Sequence, residues 1–548
     1  MLSKGMLNSK LWIVTDMPSA PALQTGAFFI GMEEIIYTSN LSRIGLTEAD
    51  VYLTSIVPTT SPTKEFGWFL TDADGKRQLN MGLAYLKESI LSSKPNVILF
   101  FTRTEHAMEL LLGVKDPDPW RGHILWSDVL NCKVSFTYHP GSVIRQRYVD
   151  KDEKPGQFEA LLQLDLGKVK KEMNSRELNY VVPETHVHPS YSEAMDWLNE
   201  LYNTAKVLSY DIETIQHSII DCIGFSRDGI HGYCIPFYYP AKGKLIPYYS
   251  ESETLDIWLG VRRLLQSNIP KVAQNAQYDN LVLWEYYKVL PRNLVCDTMI
   301  LAHNMYCDLP KDLGRLISIY TNLAYHKYLN KTGTVEDHWI YNALDAVSTL
   351  HVYQGEIAEA QGLGVYEHYL NITHPSILPC LAMQKQGVNI DIKLKDAAME
   401  LEATVMEGII TRLDRVFPKP IGNVKKPSHK FNPNSPKQKC ELFFDILKCK
   451  ARKYKGKVSA DEDTLEKLIE QETRPYVQTL LRACIAYKQA SYMYGRLKTP
   501  LRNGRLHTKY DPAGTDTGRL NSKESDFGSG TNLQNAKKGV QRAMVIPG

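Results

Sequence analysis

Residues 206–214 read KVLSYDIET, an apolar, β-branched run that a chain extends into a strand. Strand side chains alternate between faces, so Asp211 and Glu213 point the same way while Ile212 faces the opposite layer. An isolated Asp-x-Glu on a strand is in most proteins a solvated edge, so the weight falls on two downstream segments. Residues 275–279, NAQYD, open a predicted helix on which Asn275 and Asp279, four apart, share a face. The same spacing recurs in residues 341–345, YNALD, which pair the Tyr341 phenol with the Asp345 carboxylate. Four carboxylates gathered at one point repel one another unless hard cations sit among them, and oxygen ligands of this kind suit two Mg²⁺ or Mn²⁺ ions. Two such ions about 4 Å apart activate a water and stabilise the attacking and leaving oxygens of a phosphodiester displacement. Asp211, Glu213, Asp279 and Asp345 are the expected ligands, with Tyr341 orienting the water and Asn275 positioning the substrate or a carboxylate.

The text on either side sets the architecture: multidomain, α/β and α+β. At 548 residues the chain exceeds one hydrophobic core. Residues 10–165 alternate apolar runs (LWIVTDM, VYLTSIVP, NVILFF, KVSFTY) with amphipathic helical stretches, the pattern of a parallel sheet covered by helices. Residues 166–195 read as a charged, Pro-containing linker. In 196–365, DCIGFS and HGYCIPFYY are expected to pair antiparallel with the Asp211 strand before helices take over. Residues 366–500 are predicted to form an elongated helical arm, and 501–548 return to short strands and loops.

Composition narrows the class. Hydrophobic residues at 43% and no long apolar run exclude a membrane span. The N-terminus lacks a signal peptide's apolar region, so a cytoplasmic location is expected. Nine cysteines without a CxxC pair speak against a disulfide framework or an iron–sulfur cluster. A net charge of +3 leaves nucleic-acid binding to local basic surface.

The ordered series strand DxE, NxxYD, YxxxD resembles the DEDD exonucleases of the tyrosine subtype found in family A DNA polymerases. That resemblance implies an RNase H-like fold, removal of nucleotides from single-stranded 3′ ends, and proofreading in DNA replication. Cys296-Asp297-Thr298-Met299 matches the helix this family places between its second and third motifs. Further on, LPCLAMQKQGVNID (378–391) and FNPNSPKQKCELFFDIL (431–447) resemble the approach to the family's thumb and its FNxxSxxQ signature. Lys425, Lys426, Lys430, Lys437, Lys439, Lys448, Lys450, Arg452, Lys453, Lys455 and Lys457 bracket that signature, read either as phosphate contacts or as a solvated face. TDTGRLNS (515–522), NLQN (532–535) and Arg542 are similar to the opening of the family's palm, which implies DNA contacts by Arg519, Asn532, Gln534 and Asn535 in the minor groove, by Lys488 and Arg496 on phosphates, and by Arg542 near the nucleotide. The family's next strand, with its metal-binding aspartate, would come after Gly548. Synthesis is therefore expected to need a second polypeptide carrying the rest of palm and fingers, as in a split phage polymerase, unless the chain is a fragment.

Residues 1–165 resemble the uracil-DNA glycosylase superfamily through WIVTDMPSAP (12–21), GAFFIG (26–31), VYLTSIVP (51–58) and TYHPGSVIR (137–145). The resemblance implies a parallel α/β/α sandwich with a base pocket at Asp16, Phe29 and His139. Ser55 stands where the family has the asparagine that recognises uracil, which favours a DNA-docking or structural module over an active glycosylase. Two rivals stand beside this reading: a repair enzyme combining an active glycosylase with the exonuclease, and a non-catalytic DNA clamp or scaffold.

Overall fold

The computed structural model describes residues 2–102, 113, 118–148, 156–178, 180–241, 244–417, 419–421, 430–450, 453–454, 457–536, 539 and 544–546. The chain divides into two compact units, Met1–Leu378 with Pro512–Arg519, and Pro379–Asp511 with Leu520–Gly548.

The first unit holds two sheets. Strands β1 (Leu11–Thr15), β2 (Val51–Ser55), β3 (Val97–Thr102), β4 (Leu125–Ser127) and β5 (Cys132–Tyr138) run in the order β2-β1-β3-β5-β4, parallel except for β4. Every residue of β1 and β2 is buried because helices cover both faces, which explains why these strands read as continuous apolar runs. Trp12, Phe69 and Phe100 anchor the core on one face, and Tyr37, Phe101 and Leu166 that on the other.

The second sheet contains β6 (Glu184–His186), β7 (Leu208–Ile215), β8 (Ile219–Ser226) and β9 (His231–Pro236). A hairpin of β10 (Tyr238–Ala241) and β11 (Lys244–Pro247) comes next, then β12 (Lys271–Ala273) and β13 (Leu294–Asp297). The order is β13-β12-β7-β8-β9-β6, with β7, β8 and β9 antiparallel as the sequence led us to expect. The Val335–Gly362 helix, capped by Thr334 at the Asp337 N–H (3.2 Å), lies across β7, β8 and β9. Two glycines let it approach. A Cβ on Gly224 would fall 2.6 Å from the Asn342 carbonyl oxygen, and one on Gly232 2.7 Å from that of Ala343. Since Gly224 pairs with Asp211, this contact sets the YNALD turn against the DxE strand.

The expected linker differs from what is observed. Its first residues belong to the Gln157–Glu172 helix, whose Leu162, Leu166 and Val169 are buried in the first sheet's core, and its later part supplies β6. Lysines and glutamates on the helix's outer face made it read as a connector, while the apolar stripe on its inner face decided the packing.

In the second unit the Ile392–Val416 helix packs on the Pro475–Leu497 helix. Within the expected helical arm, the stretch after residue 461 forms two helices, Glu462–Gln471 and Pro475–Leu497, because Pro475 has no N–H to continue the ladder and starts the second piece instead. Phe431, Phe443 and Leu481 fill a core beside them. Short strands pair around Val388–Ile390, and Lys509–Asp511 pairs with Asn521–Lys523.

Candidate active site and comparisons with known proteins

Alternation along β7 puts Asp211 and Glu213 on the side facing the Val335–Gly362 helix, which adds Asp345. Oxygen atoms of these three carboxylates lie within 4.8 Å of one another. Asp279 is not part of that trio: its Oδ1 accepts the Ile212 N–H (3.1 Å), which holds it beside β7 and close enough to raise the proton affinity of Asp211. Burial, reinforced by Asp279, Asp345 and Glu213, pushes Asp211 well above the usual carboxylate range. Burial and Asp345 lift Glu213 to about 7. Burial lifts Asp279 to about 8 against the opposing pull of the Ile212 N–H. For Asp345 burial also acts upward, but Lys327 and His326 outweigh it and hold the group below its ordinary value.

Four side chains outside the predicted ligand set hold this arrangement. Lys327 Nζ donates to Asp345 Oδ2 (2.5 Å) and to the Tyr341 hydroxyl (3.0 Å). His326 Nε2 lies 2.7 Å from Asp345 Oδ1. Asn342 Nδ2 donates to Asp211 Oδ2 (2.7 Å). His338 pairs with Asp221 (2.9 Å), a bond that raises His338 to about 10 and places a cation beside Glu213. Burial and the neighbouring Asp345, Glu213 and Asp211 keep the Tyr341 phenol protonated far above its usual range. The signal for Asn342 lay inside the YNALD motif. Lys327 and His326 come from an irregular segment with no periodicity to reveal them.

Asn275 takes a left-handed conformation (φ 55°), tolerated by asparagine, at the start of the Ala276–Tyr287 helix. Asp297 fixes that turn by accepting the N–H groups of Asn275 (3.1 Å) and Ala276 (2.8 Å), which gives the CDTM motif a physical role. The donor set of three converging oxygen-bearing groups, two of them with proton affinities raised by burial and by neighbouring carboxylates, fits hard divalent cations.

The expected DNA contacts fall in separate places. Arg519 is exposed in the first unit, where its carbonyl accepts the Thr515 hydroxyl (2.6 Å). In the second unit Arg496 donates to the Asn532 carbonyl (2.6 Å), Lys488 pairs with Glu462 (3.4 Å), Gln534 donates to the Leu520 carbonyl (2.9 Å), and Asn532 Oδ1 accepts the Asn535 N–H (3.0 Å). Arg542 lies outside the described residues, as do Lys425, Lys426, Arg452 and Lys455. Lys439 is corrected: it is 4% exposed, packed inward, and so turned away from any phosphate. Lys430 spends its Nζ on the Asp414 carbonyl (3.0 Å), whereas Lys437, Lys448 and Lys450 are exposed.

On the first sheet, Asp16, Phe29 and His139 are all buried, with the Phe29 and His139 rings edge-on at 5.4 Å. His139 Nδ1 accepts the Gly141 N–H (2.9 Å), and the Ser55 hydroxyl donates to the Val57 carbonyl (2.7 Å).

Likeness to known proteins falls along the same divisions. Residues 187–355 match the 3′–5′ exonuclease family model, and residues 417–547 match that of DNA polymerase family A. The chain is family A DNA polymerase-like. Residues 2–163 match the uracil DNA glycosylase superfamily, and this match spans the first, mainly parallel sheet. Among curated proteins, DNA polymerase I of Synechocystis sp. is 30% identical over 290 residues, 48% of this chain and 27% of that protein. DNA polymerase I of Borreliella burgdorferi is 26% identical over 351 residues, 60% of this chain and 36% of its own length. The type-4 uracil-DNA glycosylase of Pyrobaculum aerophilum is 26% identical over 151 residues, 26% of this chain and 72% of its own. The chain thus spans about a quarter to a third of the polymerase relatives. No helix among the described residues is long and apolar enough to cross a membrane.

Proposed function

We propose that this family A polymerase-like chain removes nucleotides from single-stranded DNA 3′ ends, as the proofreading activity of DNA replication. The observation that carries the reading is the convergence of Asp211, Glu213 and Asp345 within 4.8 Å, beside a lysine that also touches Tyr341. In this reading Asp211, Glu213 and Asp345 hold two divalent cations, Mg²⁺ or Mn²⁺, with Asp279 completing the acidic set from beside β7. Bound there, such ions would supply Lewis acidity to a phosphodiester and acidity to a water. The chain's own residues do the rest. Asn342 fixes the rotamer of Asp211, and Lys327 and His326 fix that of Asp345. Tyr341, kept protonated, would orient the attacking water by hydrogen bonding without giving up its proton. The water oxygen bonds to phosphorus, the bond to the preceding 3′ oxygen breaks, and that oxygen takes a proton, releasing a mononucleotide. Asn275 would hold the strand end, and Arg519, Lys488, Arg496, Asn532, Gln534 and Asn535 would meet primer–template duplex.

The purified chain with Mg²⁺ is expected to shorten 5′-labelled single strands from their 3′ ends. Asp211→Ala should lower the rate by at least about 10³-fold. Undiminished shortening by that variant would refute the assignment.

A further inference from the structure

Residues 321–328 carry His326 and Lys327 to the carboxylates, yet they form neither helix nor strand. An irregular segment has no ladder of backbone hydrogen bonds to hold it, so its position depends on what packs against it. Much of what packs against it comes from the glycosylase-like region, with which the exonuclease region shares one compact unit. Tyr325 and Tyr328, which flank His326 and Lys327, both meet Trp120: its ring lies 4.6 Å from Tyr325 and stacks on Tyr328 at 6.0 Å and 17°. His123, fully buried, meets Tyr325 edge-on at 5.3 Å.

Polar contacts fix the same junction. Arg121, 2% exposed, pairs with Asp165 and donates to the Ser318 hydroxyl (3.2 Å). Lys168 donates to the carbonyls of Ser318 and Thr321, each at 2.7 Å. Asn322 donates to Glu172 (3.3 Å), and Arg315 pairs with Asp118 at the rim. Pulling the junction apart would take the Ser318 hydroxyl from Arg121 and both carbonyls from Lys168, and buried donors left without acceptors are costly. The junction is therefore held in one register, and the residues between its aromatic contacts are the ones that grip Asp345 and Tyr341.

We propose that the glycosylase-like region serves as a brace for the exonuclease site, with Trp120 as the positioning residue that sets Lys327 and His326 against Asp345 and Tyr341. The inference rests on the proposed exonuclease activity. Trp120 touches no reacting group; it acts by fixing the Tyr325–Tyr328 segment, and a small misplacement of catalytic groups lowers turnover without weakening substrate binding.

The test uses the full chain with Mg²⁺ and a 5′-labelled single-stranded oligonucleotide, reading kcat and KM separately. Trp120→Ala should lower kcat about tenfold with KM changed less than about twofold, and Trp120→Phe should restore most of kcat because a ring remains to meet both tyrosines. In the Lys327→Met background Trp120→Ala should cost clearly less than in the unaltered chain, since part of its effect passes through Lys327. A kcat for Trp120→Ala within about twofold of the unaltered chain, no rescue by Phe, or losses that multiply with Lys327→Met would each overturn the brace. Should Trp120→Ala not unfold cooperatively, Asp118→Ala replaces it. That variant removes the exposed rim pair, is expected to lower kcat about threefold, and sinks the proposal if kcat stays unchanged. An unaltered chain without nuclease activity removes the exonuclease reading, and the brace with it.

Discussion

The two sheets of the first unit carry polar groups at comparable places but treat them in opposite ways. At the ends of β2 and β5 two polar groups are absorbed locally: His139 Nδ1 accepts the Gly141 N–H, Ser55 donates to the Val57 carbonyl, and Phe29 packs edge-on against the histidine ring. On β7 the second sheet leaves Asp211 and Glu213 facing Asp345, with the proton affinities of the first two raised by burial and by neighbouring negative charge. A fold keeps such repulsion where a bound ligand relieves it. The contrast teaches that resemblance in sequence survives on both sheets, but a convergence of three carboxylates is seen on the second.

The sharpest way to break the comparison is to neutralise the charged side. Asp345→Asn leaves Lys327 and His326 without their anion, and the expected loss of nuclease rate is about 10³-fold or more. Lys327→Met is expected to cost less, on the order of 10²-fold, because the carboxylates remain and only their placement suffers. Rates of single-strand shortening check both, and equal losses for the two would mean that Lys327 does more than position Asp345.

A pH series in chelator sharpens the same point. Glu213 holds its proton up to about 7 in the fold but only to 4.5 ordinarily. Between those values the folded chain binds more protons than the unfolded one, so stability falls as pH rises across that window. Asp279, lifted to about 8 from 3.8, acts in the same direction over a wider range. Asp345, held low, contributes the opposite sense, stability present above its unfolded value and lost as pH falls further. Added Mg²⁺ should therefore raise the melting temperature more at about pH 8 than at about pH 5.5, by up to roughly 2.7 kcal/mol of stabilisation at a hundredfold excess over its Kd. A metal effect independent of pH would contradict the shared-charge account.

Local rules carried the reading where residue type and period coincide. Alternation gave the common face of Asp211 and Glu213, and helical spacing gave Tyr341 with Asp345, because backbone geometry alone decides both. Asp279 shows the limit: its placement beside β7 depends on the Ile212 N–H, which no spacing reveals. Lys327 and His326 were invisible for a related reason, since a segment without periodicity takes its position from tertiary contacts such as Trp120 on Tyr325. The 166–195 stretch misled because its charges were counted and its apolar stripe, Leu166 and Val169, was not.

The smallest expected effect lies on the quiet side. His139→Ala removes a buried ring that packs on Phe29 and caps the turn at Gly141, so it should lower stability by about 2 kcal/mol. Because the junction with the exonuclease region runs through Trp120 and Arg121, nuclease turnover at 25 °C should change by less than about twofold. Uracil release from single-stranded DNA is expected to be at background for the unaltered chain, since the Ser55 hydroxyl is already committed to Val57 and offers no amide to pair with a base. Release above background that Asp16→Asn and His139→Ala both abolish would show that the first sheet still holds an active pocket. It would also reverse the lesson drawn from setting the two sheets side by side, for then buried and internally satisfied groups would be doing chemistry as surely as the crowded charges of β7.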